Sequence, residues 1–388
     1  MKRVSTILFV AALTLPSFAQ LNGDGFYRVQ NAPSKRYATI VDNKADKEKI
    51  TSTSNADLYA LNTKNFEDVV SDPGSIIYIE KSGDNGYILR GQGMDTYKLS
   101  GLYLKIHSSY EVEGAYYLYG TKVVAGAPMT KYIKEAYNSA FNFYYMATED
   151  KRNINSCSWN LIPVTESESQ YFGVKPEIEV GGKYYTTLYT SFAYQLSTGM
   201  KAYYIKHNNE EMAEMTEIEG GLIPEATPVI IECTSNKVAD NKLTPLSSTS
   251  KSNIQNTLKG VYFCNVIKWA MDDEEEIEHP NWNTTKYDAA KMRILGNING
   301  KLGFVKADNL KYLPANKAYL PVQANASSNI ELVDEATYAA GIEDIATKDN
   351  TSSKGIYTLT GSKIKTENKE GLPAGVYIIN GKKAIIRK

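Results

Sequence analysis

Apolar and polar residues alternate over short stretches through most of this chain, and Gly, Asn, Asp or Pro interrupts the alternation at close intervals. Regular short alternations bounded by turn residues are typical of antiparallel β strands. Asn85-Gly86 and Asn299-Gly300 each separate two strand-like runs, and an Asn-Gly pair accepts the positive φ angles of a tight hairpin turn. The pattern therefore predicts a mainly β protein.

The first region, residues 20–165, contains aromatic strand-like segments that recur as a rough strand–turn–strand repeat. Such an internal repeat favours a barrel-like assembly. One interruption has helical spacing, can be capped by Ser54 or Asn55, and ends at Asp72-Pro73-Gly74. The predicted helix face consists of Ala56, Leu58, Leu61, Phe66, Val69 and Val70.

The second region, residues 177–338, continues the short strands with regular turn signals, which indicates an antiparallel β-sandwich. The polar residues 166–176 are interpreted as a linker before it, and residues 339–353 as a linker after it. A last module, residues 354–388, contains two apolar strands joined by Asn380-Gly381 and is rich in Lys and Arg, so we expect a basic β hairpin.

The N-terminal residues have the order of a secretion signal. Lys2 and Arg3 precede an apolar run from Val4 to Leu15, and Ser17-Phe18-Ala19 supplies small residues for cleavage. We therefore predict a signal peptide over residues 1–19, cleaved after Ala19, and a secreted or surface-attached protein. The run is shorter than the roughly 20 residues that a membrane-spanning helix needs, and no transmembrane segment is expected elsewhere.

Composition limits the classes of partner that the protein can bind and the disulfide bonds that it can form. The formal net charge of the 388 residues is −1, which argues against a nucleic-acid partner. The three cysteines are too few for a disulfide scaffold; a single Cys233–Cys264 bridge is one arrangement that export would permit, with Cys157 left free.

Several segments resemble known secreted proteins. Residues 22–31 with Lys35-Arg36-Tyr37 resemble the opening of many secreted Bacteroidetes proteins, and Trp159-Asn160-Leu161-Ile162 resembles the end of a ricin-type β-trefoil. Phrases across residues 180–322 are similar to a module repeated in secreted proteins of Bacteroides and Prevotella. The resemblance implies an N-terminal β-trefoil-like domain with a short helical insert, followed by a β-rich accessory module.

The C-terminal residues resemble the sorting domain of type IX secretion substrates. The matching features are a Gly-rich strand, the phrase from Leu372 to Ile379 and a basic end. The resemblance implies export by the Sec translocon, passage through outer-membrane secretion machinery, and a tail that is either cleaved for surface anchoring or retained. The residues implied as the sorting signal are Gly375, Lys382, Lys383, Arg387 and Lys388.

The chain carries no motif of a common catalytic class. Its histidines are His107, His207 and His279, and neither a zinc-protease helix, a phosphate-binding loop nor a nucleophile elbow is present. We therefore expect no enzyme and no cofactor other than calcium. Asp272, Asp273 and Glu275 are the candidate calcium ligands in an acidic loop, although a solvated loop is the favoured interpretation.

Aromatic residues are the other candidate ligand-binding groups, because the C–H faces of sugar rings stack on them while polar neighbours bind hydroxyl groups. Trp282, Tyr37 and Tyr132 are the candidate ligand-binding residues, with core packing the favoured role for any single tyrosine. The predicted function is a non-catalytic glycan-binding protein. The alternatives are a structural adhesin or surface component that binds host or neighbouring surface proteins, and an extracellular hydrolase such as a glycosidase.

Overall fold

A computed structural model describes the chain over most of its length and confirms the mainly β fold. The described residues are 21, 23–40, 61–82, 86–91, 98–99, 102–103, 105–108, 114–139, 143–165, 170–247, 254–261, 267–268, 276–277, 286–310, 312–340, 356–358, 363–364, 372–379 and 382–386. Among these residues, no helix is long and apolar enough to cross a membrane.

Within its described residues, the N-terminal unit contains twelve strands and two single-turn helices. The strands are β1 (Gly25–Asn31), β2 (Tyr37–Ile40), β3 (Leu61–Lys64), β4 (Ile77–Ser82), β5 (Gly86–Arg90), β6 (Lys98–Leu99), β7 (Leu102–Tyr103), β8 (Lys105–Ser108), β9 (Tyr116–Val124), β10 (Ala127–Asn138), β11 (Phe143–Glu149) and β12 (Ser158–Pro163). The helices are α1 (Phe66–Val69) and α2 (Ile154–Cys157), and a 3₁₀ turn spans Pro73–Ser75.

Six of these strands form a barrel that follows β-trefoil connectivity. β1 pairs with β4, β4 with β5, β8 with β9, β9 with β12, and β12 returns to β1, while β5 lies against β8. The remaining strands form the three hairpins β2–β3, β6–β7 and β10–β11. Each barrel strand contributes a buried aliphatic side chain, namely Val29, Ile79, Leu89, Ile106, Leu118 and Leu161. The structure therefore confirms the trefoil-like prediction.

Within the described residues, the predicted helical insert is represented by the single turn α1. Phe66 and Val69 lie in α1 as expected, but Leu61 belongs to strand β3, so the prediction for Leu61 was wrong. The reason is tertiary: β3 pairs with β2 on one side and with β11 on the other, and this ladder overrides the helical spacing. Ser54, Asn55, Ala56 and Leu58 lie outside the described residues.

Within its described residues, the second unit contains two main sheets and a small two-stranded sheet of β23 and β24. Its strands are β13 (Phe172–Gly173), β14 (Ile178–Val180), β15 (Lys183–Leu188), β16 (Ala193–Leu196), β17 (Lys201–Asn208), β18 (Met212–Glu217), β19 (Leu222–Ile223), β20 (Val229–Cys233), β21 (Lys242–Leu246), β22 (Lys259–Val261), β23 (Ile267–Lys268), β24 (Glu276–Ile277), β25 (Met292–Ile298), β26 (Lys301–Val305), β27 (Lys317–Pro321) and β28 (Asn329–Val333). Short 3₁₀ turns span Glu219–Gly221 and Val238–Asp240, and residues 335–340 are helical.

A four-stranded sheet, β13-β21-β16-β19, packs against part of a ten-stranded sheet, β14-β15-β20-β17-β18-β28-β26-β25-β27-β22. Phe172 and Leu243 from the small sheet meet Ala202 and Ile231 from the large one, which is the core of a sandwich. The large sheet also curls, because its opposite face buries Ile205 with residues of β25 to β28 in a second core.

Two details of the second unit depart from the sequence analysis. β18 and β28 run parallel, so the sandwich is antiparallel except at this pair. The segment 166–176, interpreted as a linker, includes strand β13, and Phe172 and Val174 are buried in the sandwich core. The predicted turn at Asn299-Gly300 is confirmed: both residues have positive φ and join β25 to β26.

The two units are joined by a buried arginine. Arg28, on barrel strand β1, is fully buried and donates hydrogen bonds to the carbonyls of Val69 and Val70 and to that of Tyr171. Tyr171 directly precedes strand β13 of the sandwich, so one side chain connects both units.

The C-terminal residues form a separate four-stranded sheet in the order β30-β29-β31-β32. Its strands are β29 (Ile356–Thr358), β30 (Lys363–Ile364), β31 (Gly375–Ile379) and β32 (Lys382–Ile386). β31 and β32 pair antiparallel, which confirms the predicted hairpin, although Asn380 and Gly381 at its turn lie outside the described residues.

Candidate functional site

Among the residues of the trefoil that the structure describes, the exposed large apolar side chains lie on one hairpin. Met129, Tyr137 and Tyr144 are 37%, 49% and 36% exposed, and they belong to β10 and β11. We call Tyr137, Tyr144 and the neighbouring Arg36 the tyrosine platform.

Strand register brings the two tyrosines together. Tyr137 lies directly opposite Tyr144 in the antiparallel β10–β11 ladder, so both side chains stand on the same face. Their ring centroids are 4.8 Å apart, with an angle of 42° between the ring planes. The same alternation places Ile133 and Met146 further along this face, where both are buried, so the face passes from core to solvent.

Arg36 holds the platform from one side. Its guanidinium lies 3.3 Å from the centre of the Tyr144 ring and donates two hydrogen bonds to the Glu135 carboxylate, at 2.9 and 2.5 Å. The Thr63 hydroxyl donates to the same carboxylate at 2.5 Å. Because a forked arginine–carboxylate pair has fixed geometry, the Tyr144 ring is held before any ligand arrives.

The chemistry of the platform is that of a flat amphipathic surface. Aromatic rings take up the apolar face of a ligand, and the adjacent carboxylate and guanidinium offer an acceptor and donors at its edge. Glu135 balances the charge of Arg36, so the arrangement does not favour a strongly charged ligand.

The predicted tyrosines lie elsewhere. Tyr37 is only 5% exposed and packs against the Phe66 ring, with 5.6 Å between centroids. This burial leaves no ring face for a ligand, so Tyr37 is not a ligand-binding residue, and the exposed Tyr137 and Tyr144 take its place as candidates. Tyr132 is half-buried and meets Tyr117 edge to face at 6.2 Å, five residues before Tyr137 on the same strand.

Most of the other predicted site residues lie outside the described residues: Trp282, Asp272, Asp273, Glu275, Cys264, Arg387 and Lys388. Within the described residues, no cluster of three or more His, Cys, Asp or Glu could hold a metal ion. Gly375 begins β31, and the backbones of Lys382 and Lys383 begin β32. Cys233 carries a free thiol buried in the sandwich core, and Cys264, the other cysteine of the possible bridge, lies outside the described residues.

The His207–Glu214 pair and the Cys157 thiol are residue types that enzymes use in catalysis, and both lie away from the tyrosine platform. His207 Nδ1 lies 2.8 Å from a carboxylate oxygen of the buried Glu214. Although burial acts to raise it, the hydrogen bond from His207 and the charge of Lys206 together hold the pKa of Glu214 below its usual value. Burial raises the pKa of the Cys157 thiol, which therefore lacks the thiolate character of a nucleophile.

Comparison with known proteins gives no relative. No family model, no curated protein and no solved structure matches the chain. The functional argument therefore comes from the described residues and the sequence pattern.

Proposed function

We propose that this protein is a secreted or surface-attached, non-catalytic protein that binds glycans through the tyrosine platform. The observation that supports the proposal is the exposed pair Tyr137 and Tyr144, held by Arg36 on the β10–β11 hairpin. A preformed ring surface beside hydrogen-bonding groups is complementary to a pyranose ring, which has an apolar C–H face and a polar edge.

The platform is also rigid enough to bind without a large ordering cost. The Glu135 side chain is 8% exposed and that of Arg36 is 21% exposed, and both are engaged in the same ion pair. Immobilising a long side chain on binding costs about 0.5–1.5 kcal/mol, and that cost is reduced for a side chain that is already fixed.

A glycan array probed with the mature chain tests the proposal. We expect specific retention of a set of oligosaccharides, and at least about fivefold weaker binding for Tyr137→Ala, since a stacking partner contributes about 1 kcal/mol. Met129→Ala removes a comparably exposed side chain from the same hairpin and is the matched control. Equal loss in both variants, or retention that is unchanged in Tyr137→Ala, would argue against the platform.

A protein partner is the second candidate, because the hairpin exposes Met129 as well as the two tyrosines beside Arg36. These residue types are enriched where proteins meet one another. Met129, Tyr137 and Tyr144 would then lie in the interface of an adhesin. An array without any retained sugar, together with a surface-protein complex that Tyr137→Ala and Met129→Ala both weaken, would favour this candidate.

The location outside the cytoplasm is also a proposal, and it is supported by the pattern of residues 1–19 and by the C-terminal hairpin with its Lys and Arg residues. Intact mass spectrometry of the native protein tests it. We expect a chain that begins at Gln20, and either a cleaved or an intact basic tail. A native protein that retains residues 1–19 would contradict the proposed export.

A further inference from the structure

The sandwich contains a polar cleft that is separate from the tyrosine platform. Its volume is about 560 Å³, within the range of roughly 300–1,000 Å³ of small-molecule sites. Five side-chain amides line it, which is an unusual concentration of groups that both donate and accept hydrogen bonds: Asn208, Asn209, Gln255, Asn256 and Gln323. We call it the amide cleft.

Part of the wall is fixed by hydrogen bonds to backbone carbonyls. Asn208, at the end of β17, donates from Nδ2 to the carbonyl of Pro321 at 3.3 Å. Asn256 donates to the carbonyl of Pro228 at 2.7 Å. These bonds hold the strand ends in place, so the cleft exists before a ligand enters.

The rim consists of side chains that remain exposed and can bind a ligand. Gln255, Gln323 and Lys259 are exposed, as is Glu210, whose carboxylate accepts a hydrogen bond from Asn325. One lysine and one glutamate give the rim no strong net charge, which argues against a phosphate-rich or polyanionic ligand.

The remaining lining is apolar and includes Val322 and Ala326, both half-buried against the second core. This apolar strip, together with the mixed donors and acceptors, suits a ligand that has apolar C–H faces and many hydroxyl groups. Asn209 adds one further amide, and its buried Nδ2 has no hydrogen-bond partner among the described residues.

We propose that the amide cleft is a second carbohydrate site that takes a neutral oligosaccharide segment. Each hydroxyl group both donates and accepts a hydrogen bond, as the amides do, whereas the apolar strip contacts the ring face. The proposal does not depend on the tyrosine platform, since the cleft lies in the other unit and shares no residue with it.

The test uses the mature chain on an array of neutral and acidic oligosaccharides, with an array of random peptides beside it. The cleft variant is Gln255→Ala with Gln323→Ala, and the control is Lys237→Ala with Lys306→Ala, two exposed side chains outside the cleft. Tyr137→Ala is included so that failure of the platform and failure of the cleft are distinguished.

We expect a subset of neutral oligosaccharides to bind about tenfold more weakly to the cleft variant, because two hydrogen bonds are lost, while Tyr137→Ala and the control retain them. An unchanged glycan pattern in the cleft variant, including silence throughout, would overturn the proposal. Selective loss of peptides would also overturn it, since the ligand class would then be wrong.

Discussion

Replacement of Arg28 by Met tests how the two units are held together. The guanidinium of Arg28 donates to the carbonyls of Val69 (2.9 Å), Val70 (3.2 Å) and Tyr171 (3.0 Å), and also to the Ser75 hydroxyl. Methionine fills a similar length of the buried space but can donate none of these bonds. The Tyr171 carbonyl belongs to the sandwich side, so the change affects the junction as well as the barrel.

The loss of unfolding free energy in Arg28→Met follows from two opposing contributions. Four hydrogen bonds from a charged donor contribute about 1.5–3 kcal/mol each. Burial of Arg28 lowers its pKa to about 10, which marks a desolvation cost of roughly 3 kcal/mol that methionine avoids. Even with the lower figure for each bond, the variant should lose at least about 3 kcal/mol of unfolding free energy, a large share of the roughly 5–15 kcal/mol of a typical protein.

Urea unfolding, followed by tryptophan fluorescence, to which the buried Trp159 contributes, and by far-ultraviolet circular dichroism, measures this loss. Arg90→Met is the matched control: the Arg90 side chain is 44% exposed and pairs with Glu80 at the surface, so its loss should change stability by less than about 1 kcal/mol. If Arg28→Met and Arg90→Met have equal stabilities, the junction is not held by Arg28 and the reasoning is refuted.

Three further predictions concern the sandwich. Burial acts to raise the pKa of Glu232, but the hydrogen bond from Lys183 outweighs it, so the folded-state pKa is lowered. Unfolding curves measured at each pH should therefore show the full stability advantage of wild type over Glu232→Gln above about pH 5, and a smaller advantage as the pH falls below about 4. Gly260→Ala should lower the unfolding free energy by about 1–3 kcal/mol, because a Cβ would lie 2.1 Å from the Tyr189 ring; an unchanged melting temperature would contradict this. Burial raises the pKa of Cys233 to about 12, so iodoacetamide at pH 8 should label its peptide only after unfolding, and rapid native labelling seen by mass spectrometry would be inconsistent with the buried core position.

Local patterns predicted the elements whose partners are close in sequence. Asn299-Gly300 has the positive φ angles that its residue types favour, and the C-terminal hairpin forms around a similar pair. The trefoil was inferred from recurring aromatic segments and from the ending at Trp159, whose indole donates to the carbonyl of Ile133 within the barrel. For the two hairpins, the sequence signal and its physical cause lie within the same short segment.

Long-range pairing could not be predicted in this way. The parallel ladder joins Met212 to Glu331, and Leu61 is held in a strand by its pairing with β2 and β11. The burial of Phe172 depends on a sheet that forms only when residue 243 pairs with it. The segment 166–176 therefore has the polar composition of a linker, although its strand β13 places Phe172 in the sandwich core.

The site residues were missed because exposure, and not residue type, distinguishes one tyrosine from the 29 in the chain. Tyr37 and Tyr137 both lie in β strands, yet the first is buried and the second faces solvent. A usable signal was present in the strand spacing: Tyr137 and Tyr144 flank a short turn at distances that place them opposite each other in a hairpin.

Intermolecular nuclear Overhauser effects between selectively labelled tyrosine rings and a bound oligosaccharide from the array test the central claim most directly. The tyrosine platform predicts contacts from the ring protons of Tyr137 and Tyr144 to the C–H protons of one sugar face, and their disappearance when Tyr137 is replaced. Contacts that arise only from other tyrosines, or that persist unchanged in the Tyr137→Ala chain, would contradict glycan binding at this hairpin.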